Sequence, residues 1–286
     1  MPAEIFDATQ CDLGEGPMWH PLRNELFWFD ILNRTMFAKG AGAARKWVFD
    51  HMVSAAGWVD EHRLVVASER ALELFDLRDG SSAALCALEA DNPVTRSNDG
   101  RADPYGGFWI GTMGKAAESQ AGAIYRFYKG ELRKLFGTVT IPNAIAFTPD
   151  GRHATFTDTA RGQVMRVALH PDTGWPLGAP QVYIDFSGTG LNPDGAVFDA
   201  EGCFWNAQWG ASRLARYDDD GNLIQTIELP ATNISCPAFG GGHIYATSAR
   251  QGLTADDLAN QPSAGMTFRV ATPIAGQAEH RVILES

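Results

Sequence analysis

Residues 143–159 read NAIAFTPDGRHATFTDT: a polar residue, an apolar run, the turn TPDGR, then a second run rich in β-branched and aromatic residues. Asp, Pro and Gly between two such runs are hairpin chemistry, since proline presets one turn dihedral and glycine accepts a left-handed one. The rhythm returns at 15–30 as EGPMWHPLRNELFWFD, at 98–112 as NDGRADPYGGFWIGT and at 194–209 as DGAVFDAEGCFWNAQW. Five residues after each leading residue comes His20, Asp103, Thr148 or Asp199, where the turn opens.

Two weaker copies fit the same frame, AAGWVDEHRLVVAS from Ala55 and SCPAFGGGHIYATS from Ser235. The leading positions are then 15, 55, 98, 143, 194 and 235, separated by 40, 43, 45, 51 and 41 residues. Periods in the forties, each with several strand and turn signals, mark a β-propeller. The expected fold is all-β: one domain over 1–286, a six-bladed β-propeller with a metal site in its central channel. No long segment has helical periodicity, which argues against α/β folds. A β-sandwich would not predict so even a period. The fourteen residues ahead of Glu15 include AEIF, which is expected to pair with the last blade near HRVILE and close the ring, removing exposed strand edges.

Composition narrows the function classes. The 286 residues are 45% apolar and 20% charged, which suits a globular protein. A net charge of −11 with no basic run argues against a nucleic-acid partner. No apolar run approaches the length of a membrane span. Cys11, Cys86, Cys203 and Cys236 share no C-x-x-C spacing and read as thiols in a reducing compartment. MPAEIFDATQ lacks a basic and an apolar region, so no signal peptide is expected and the location reads as cytoplasmic. The sequence leaves the oligomeric state open.

The first strand of a propeller blade lines the channel, so residues at one register of that strand face a common space. Here that register reads Glu15, Ala55, Asn98, Asn143, Asp194 and Ser235. Four are carboxylate or amide oxygen donors, and buried carboxylates need a cation or hydrogen-bond donors beside them. Without thiolate or imidazole the set is hard. It suits Ca²⁺, Mg²⁺ or Mn²⁺ best, with Zn²⁺ and Fe²⁺ as further occupants. Glu15 stands between two glycines and before Pro17, as a ligand would in a cleared space. Arg96, two residues before Asn98, shares its strand face and offers a guanidinium to substrate oxygens. The seven histidines show no H-x-x-x-H spacing, and no G-x-S-x-G elbow is present.

LGEGPMWH, RSNDGRADPYGGFWIGTM, IPNAIAFTPDG, TDT and NPDGAVFDAEGCFWNAQW together resemble the regucalcin (senescence marker protein) and gluconolactonase family, from about Leu13 to near Arg250. The resemblance implies a six-bladed propeller with one divalent cation, hydrolysing sugar lactones to aldonic acids. It places the metal ligands on Glu15, Asn143 and Asp194, the general base on Asp194, and substrate contacts on Arg96 and Asn98. The family's further substrate glutamate falls on Ala116 in GTMGKAAESQ, so Glu118 is expected to substitute for it. Trp209 is a candidate to cover the sugar face. Two other readings stay open: a non-enzymatic calcium-binding propeller, and a related propeller esterase or phosphotriesterase.

Overall fold

The computed structural model describes residues 2–284. Among them are twenty-four strands, the six-residue helix Ala255–Asn260 and the 3-10 turn Thr159–Arg161, so the chain is all-β. Four sheets have four antiparallel strands each and are meanders of consecutive strands. They begin at Gly14–His20, Val53–Trp58, Thr95–Ala102 and Pro142–Phe147. A fifth sheet has eight strands and contains the strands that start at Asn192–Phe198 and Asn233–Gly240. Its two halves meet at one paired position, Trp209 opposite Asn233.

Apolar side chains on both faces of these sheets pack against the neighbours in chain order. Phe29 and Met36 meet Ala56 and Val66 between the first and second sheets. Leu72 and Val65 meet Phe108 and Ile110 between the second and third. The series continues to a last cluster in which Ala238 and Tyr245 pack on Leu26, Trp28 and Phe37, bringing the end of the chain back to its start. Trp28, Trp109 and Trp205 are fully buried in these layers. Each such ring removes roughly 150–250 Å² from water, which makes the tryptophans packing residues first.

Glu4–Asp7 pairs antiparallel with Thr267–Ala271. Its partner is therefore not HRVILE, as the sequence suggested; of that segment Glu285 lies outside the described residues. Residues 281–283 instead cross to other sheets. Arg281 Nε donates to Val59 O at 2.6 Å, Val282 N to Trp58 O at 2.8 Å and Ile283 N to Gly106 O at 2.9 Å. Val282 is fully buried against Phe108 and Tyr125. The free edge of Thr267–Ala271 satisfies the N-terminal strand's backbone, while burial of Val282 directs the C-terminal segment elsewhere.

Each strand that begins a repeat carries an irregularity in its pairing with the next strand. The pairing skips between Glu15 and Met18, Val53 and Ala55, Ser97 and Gly100, Asn143 and Ala146, Pro193 and Ala196, and Ile234 and Pro237. Bulges of this kind bend a strand and re-aim its side chains.

Candidate active site

The bulges correct the single register read from the sequence. Asn98, Asp194 and Ser235 are the first unpaired residues of their bulges, and the matching residue in the second sheet is Ser54 rather than Ala55. Glu15 and Asn143 stand one position earlier, as the last paired residues. The residues after them, Gly16 and Ala144, both have left-handed backbones with φ of 55°. A one-residue slip in a regular strand would turn a side chain to the opposite face. Here the left-handed residue bends the strand so that Glu15 and Asn143 reach the same cavity as Asn98 and Asp194.

The glycines around Glu15 are now explained. A Cβ at Gly14 would lie 2.3 Å from Ser248 O, and one at Gly16 would lie 2.2 Å from Ser54 O. Two neighbouring backbones pass against the chain on either side of the acid, and only glycine leaves room for them.

Glu15, Arg96, Asn98, Asn143 and Asp194 all line one cavity of about 510 Å³, together with Lys115, Ala116, Thr159, Trp209 and Gln251. The five are each at most 7% exposed. Gly16 N–H donates to Glu15 Oε2 at 3.1 Å. Arg96 Nη1 donates to Ser97 O and to Asn98 Oδ1, both at 2.8 Å, rather than to either carboxylate. Asn98 Nδ2 donates to Asn143 Oδ1 and Pro142 O, both at 2.9 Å. Asn143 Nδ2 donates to Thr159 Oγ1 at 2.9 Å.

Burial dominates the electrostatics. It raises the Glu15 carboxyl to about 8, with repulsion from Asp99 adding to the effect. Burial likewise pushes Asp194 well above the usual carboxylate range, and Glu15 and Asp99 push it further. Burial also raises Asp99, whose charge acts on both, to about 6, although Ile145 N–H donates to its Oδ2 at 2.8 Å. Burial lowers Arg96 to about 10, so the guanidinium keeps its charge at neutral pH.

Two buried carboxylates that repel each other and an amide oxygen line the same cavity, and among the described residues no side chain donates a hydrogen bond to either carboxylate. This oxygen set fits a divalent cation. A second acidic group, Asp199, Glu201 and Cys203, lies elsewhere, at a hairpin turn. Its oxygens are already engaged. Asp199 accepts from Glu201 N, Cys203 N, Trp205 Nε1 and Arg216 Nε, and Glu201 pairs with Arg216. That cluster is a braced turn.

Glu118 does not take the place expected of it. It is exposed, its Oε2 accepts Ala116 N–H at 3.1 Å, and the cavity wall there is Lys115, Ala116 and Ala117. Ala117 has a left-handed backbone, with φ of 56°, and the tight loop folds the carboxylate back on its own chain. The sequence reading missed Thr159, Lys115 and Gln251. Thr159 had a signal: the hairpin pairs Pro142 with Asp158, which carries Thr159 back beside Ile141 and hence near Asn143.

Known proteins are similar to this chain over nearly its whole length. A solved structure described as the calcium-binding protein regucalcin, from Agrobacterium tumefaciens str. C58, is 40% identical with a TM-score of 0.97, covering 99% of this chain and 98% of that one. A 6-deoxy-6-sulfogluconolactonase of Pseudomonas putida is 32% identical, over 93% of this chain and 94% of its own. An L-arabinolactonase of Azospirillum brasilense is also 32% identical, over 98% and 95%. Residues 13–250, which carry the bulged strands and every cavity residue except Gln251, match the SMP-30/Gluconolactonase/LRE-like region, and the chain belongs to that family.

Proposed function

We propose that the protein is a sugar lactonase that opens aldono-1,4- or 1,5-lactones to aldonic acids with the help of one divalent cation. The observation that carries this reading is the convergence of Glu15, Asn143 and Asp194 with Arg96 and Asn98 in one buried cavity. Relatives named for lactone hydrolysis, at 32% identity over nearly the whole chain, support it. The six clusters that link successive sheets support a six-bladed ring, with the eight-stranded sheet counted as two blades that touch at Trp209 and Asn233. Four free cysteines accord with a cytoplasmic setting.

Glu15, Asn143 and Asp194 would hold the cation, which when bound supplies a Lewis acid for the lactone carbonyl. Its charge also favours the ionised form of both carboxylates against their burial. Asp194 takes a proton from the attacking water and returns it to the ring oxygen as the acyl C–O bond breaks. Both Nδ2 hydrogens of Asn98 are committed, so Asn98 offers a sugar hydroxyl only its Oδ1 as acceptor. The remaining Arg96 N–H groups are donors, so the two residues orient a hydroxyl from both sides. Trp209, which lines the cavity, offers an apolar face to the sugar ring.

The test strips the protein with chelator and follows acid release from glucono-, galactono-, arabinono- and xylonolactone as Ca²⁺, Mg²⁺, Mn²⁺, Zn²⁺ or Fe²⁺ is returned. Cation-dependent turnover above the spontaneous rate is expected, and Asp194→Asn should lower kcat by about 10²–10⁴-fold. Tight cation binding with no acceleration on any lactone would sink the reading in favour of a cation-binding protein.

A further inference from the structure

The hydrogen bonds around Asn143 form one directed chain. Arg96 Nη1 donates to Asn98 Oδ1 at 2.8 Å, and Asn98 Nδ2 donates to Asn143 Oδ1 at 2.9 Å. Asn143 Nδ2 donates to Thr159 Oγ1 at 2.9 Å, and Thr159 Oγ1 donates to Pro193 O at 2.7 Å. One end is a guanidinium, which can only donate. The other is a backbone carbonyl, which can only accept.

Those ends fix everything between them. A threonine hydroxyl has one proton, and Pro193 O takes it, so Thr159 can only accept from Asn143. Turning the Asn143 amide over would set its NH₂ against that of Asn98. Turning Asn98 over would set its NH₂ against the guanidinium and its oxygen against Pro142 O. Each reversal leaves buried polar groups facing like partners, a cost of about 1–3 kcal/mol per group.

We propose that Thr159 is a positioning residue for the cation site: its hydroxyl holds Asn143 with the amide oxygen, not the NH₂, on the side of Asn98 and the cavity. The same hydroxyl ties the strand carrying Asn143 to Pro193, the residue immediately before Asp194. One group thus sets both the orientation of one ligand and its placement relative to another. Outer partners of ligands commonly act in this way. The claim rests on the cation-binding part of the proposed function but does not need the substrate to be a lactone.

The experiment measures Mn²⁺ affinity of the chelator-stripped protein by calorimetric titration, for wild type, Thr159→Val, Thr159→Ala and Thr159→Ser, with thermal melting alongside. Valine keeps the shape and removes both hydrogen bonds; serine keeps the hydroxyl. Thr159→Val is expected to weaken Mn²⁺ binding about 10–100-fold, while Thr159→Ser stays within about threefold of wild type. Thr159→Ala gives the same comparison should the valine variant not fold. Wild-type affinity in a folded Thr159→Val or Thr159→Ala protein overturns the proposal, as does equal loss in Thr159→Ser. Failure of wild type to bind Mn²⁺ overturns it too. Mn²⁺ binding that follows the expected order, without lactone turnover, overturns only the lactonase reading.

Discussion

Asn98 Nδ2 lies 2.9 Å from Asn143 Oδ1, although 45 residues separate them in the chain. Asn98 lies in the bulge of one sheet and Asn143 stands just before the bulge of another, and their contact joins the proposed substrate-binding pair to the proposed ligand set. Asn98 is therefore both the proposed sugar contact and a support for Asn143.

Removing it should show both roles. Asn98→Ala leaves Arg96 and Asn143 each short of a buried partner, a loss of about 1–3 kcal/mol. We expect kcat/KM on the best lactone to fall about 10–100-fold and cation affinity to fall with it. A pure substrate contact would raise KM and leave cation affinity alone, so parallel titration and kinetics separate the two.

The buried carboxylates predict a pH dependence that the cation abolishes. Glu15 ionises at 4.5 ordinarily and at about 8 in the folded protein. Between those values the folded, cation-free protein holds a proton that the unfolded chain has lost. Stability therefore falls as pH rises through that window. The melting temperature of stripped protein should be lower at pH 8 than at pH 5, and saturating Mn²⁺ should lift the pH 8 value most. A flat profile in stripped protein would contradict the assignment.

Gly16→Ala tests the bulge beside Glu15. The left-handed backbone alone would cost roughly 1–3 kcal/mol with a side chain present, and the added Cβ would meet Ser54 O. Urea titration should show a loss at least that large, together with weaker cation binding because Glu15 moves with the bulge.

Behind the bulges, Glu279 pairs with Arg101 beside a small separate cavity that Asp99 and Cys236 also line. Their side chains are 8% and 11% exposed. Glu279→Gln would leave the Arg101 charge without its partner, for a loss of about 3–5 kcal/mol in stability. Lactone KM should be unchanged, since neither residue borders the cavity of the candidate site. A large change in KM would place the C-terminal segment in the site.

The local sequence determined the repeat period and the hairpin turns. It also brought Glu15, Asn98, Asn143 and Asp194 forward as candidates through a period in the forties and turn chemistry at fixed offsets, and Arg96 through strand alternation beside Asn98. All are local properties of the chain, and they led to residues lining one cavity. What it did not determine depends on residues brought together by the closed arrangement of sheets. The bulges add unpaired residues that a periodic pattern does not show, so the site draws on two adjacent positions rather than one register. The turn of the loop after Met113 sends Glu118 away from the cavity. Thr159 gains its place only because a hairpin returns it between Asn143 and Pro193. The partner of Glu4–Asp7 was settled by which strand edge remained free and by the burial of Val282, both decided when the last sheet met the first.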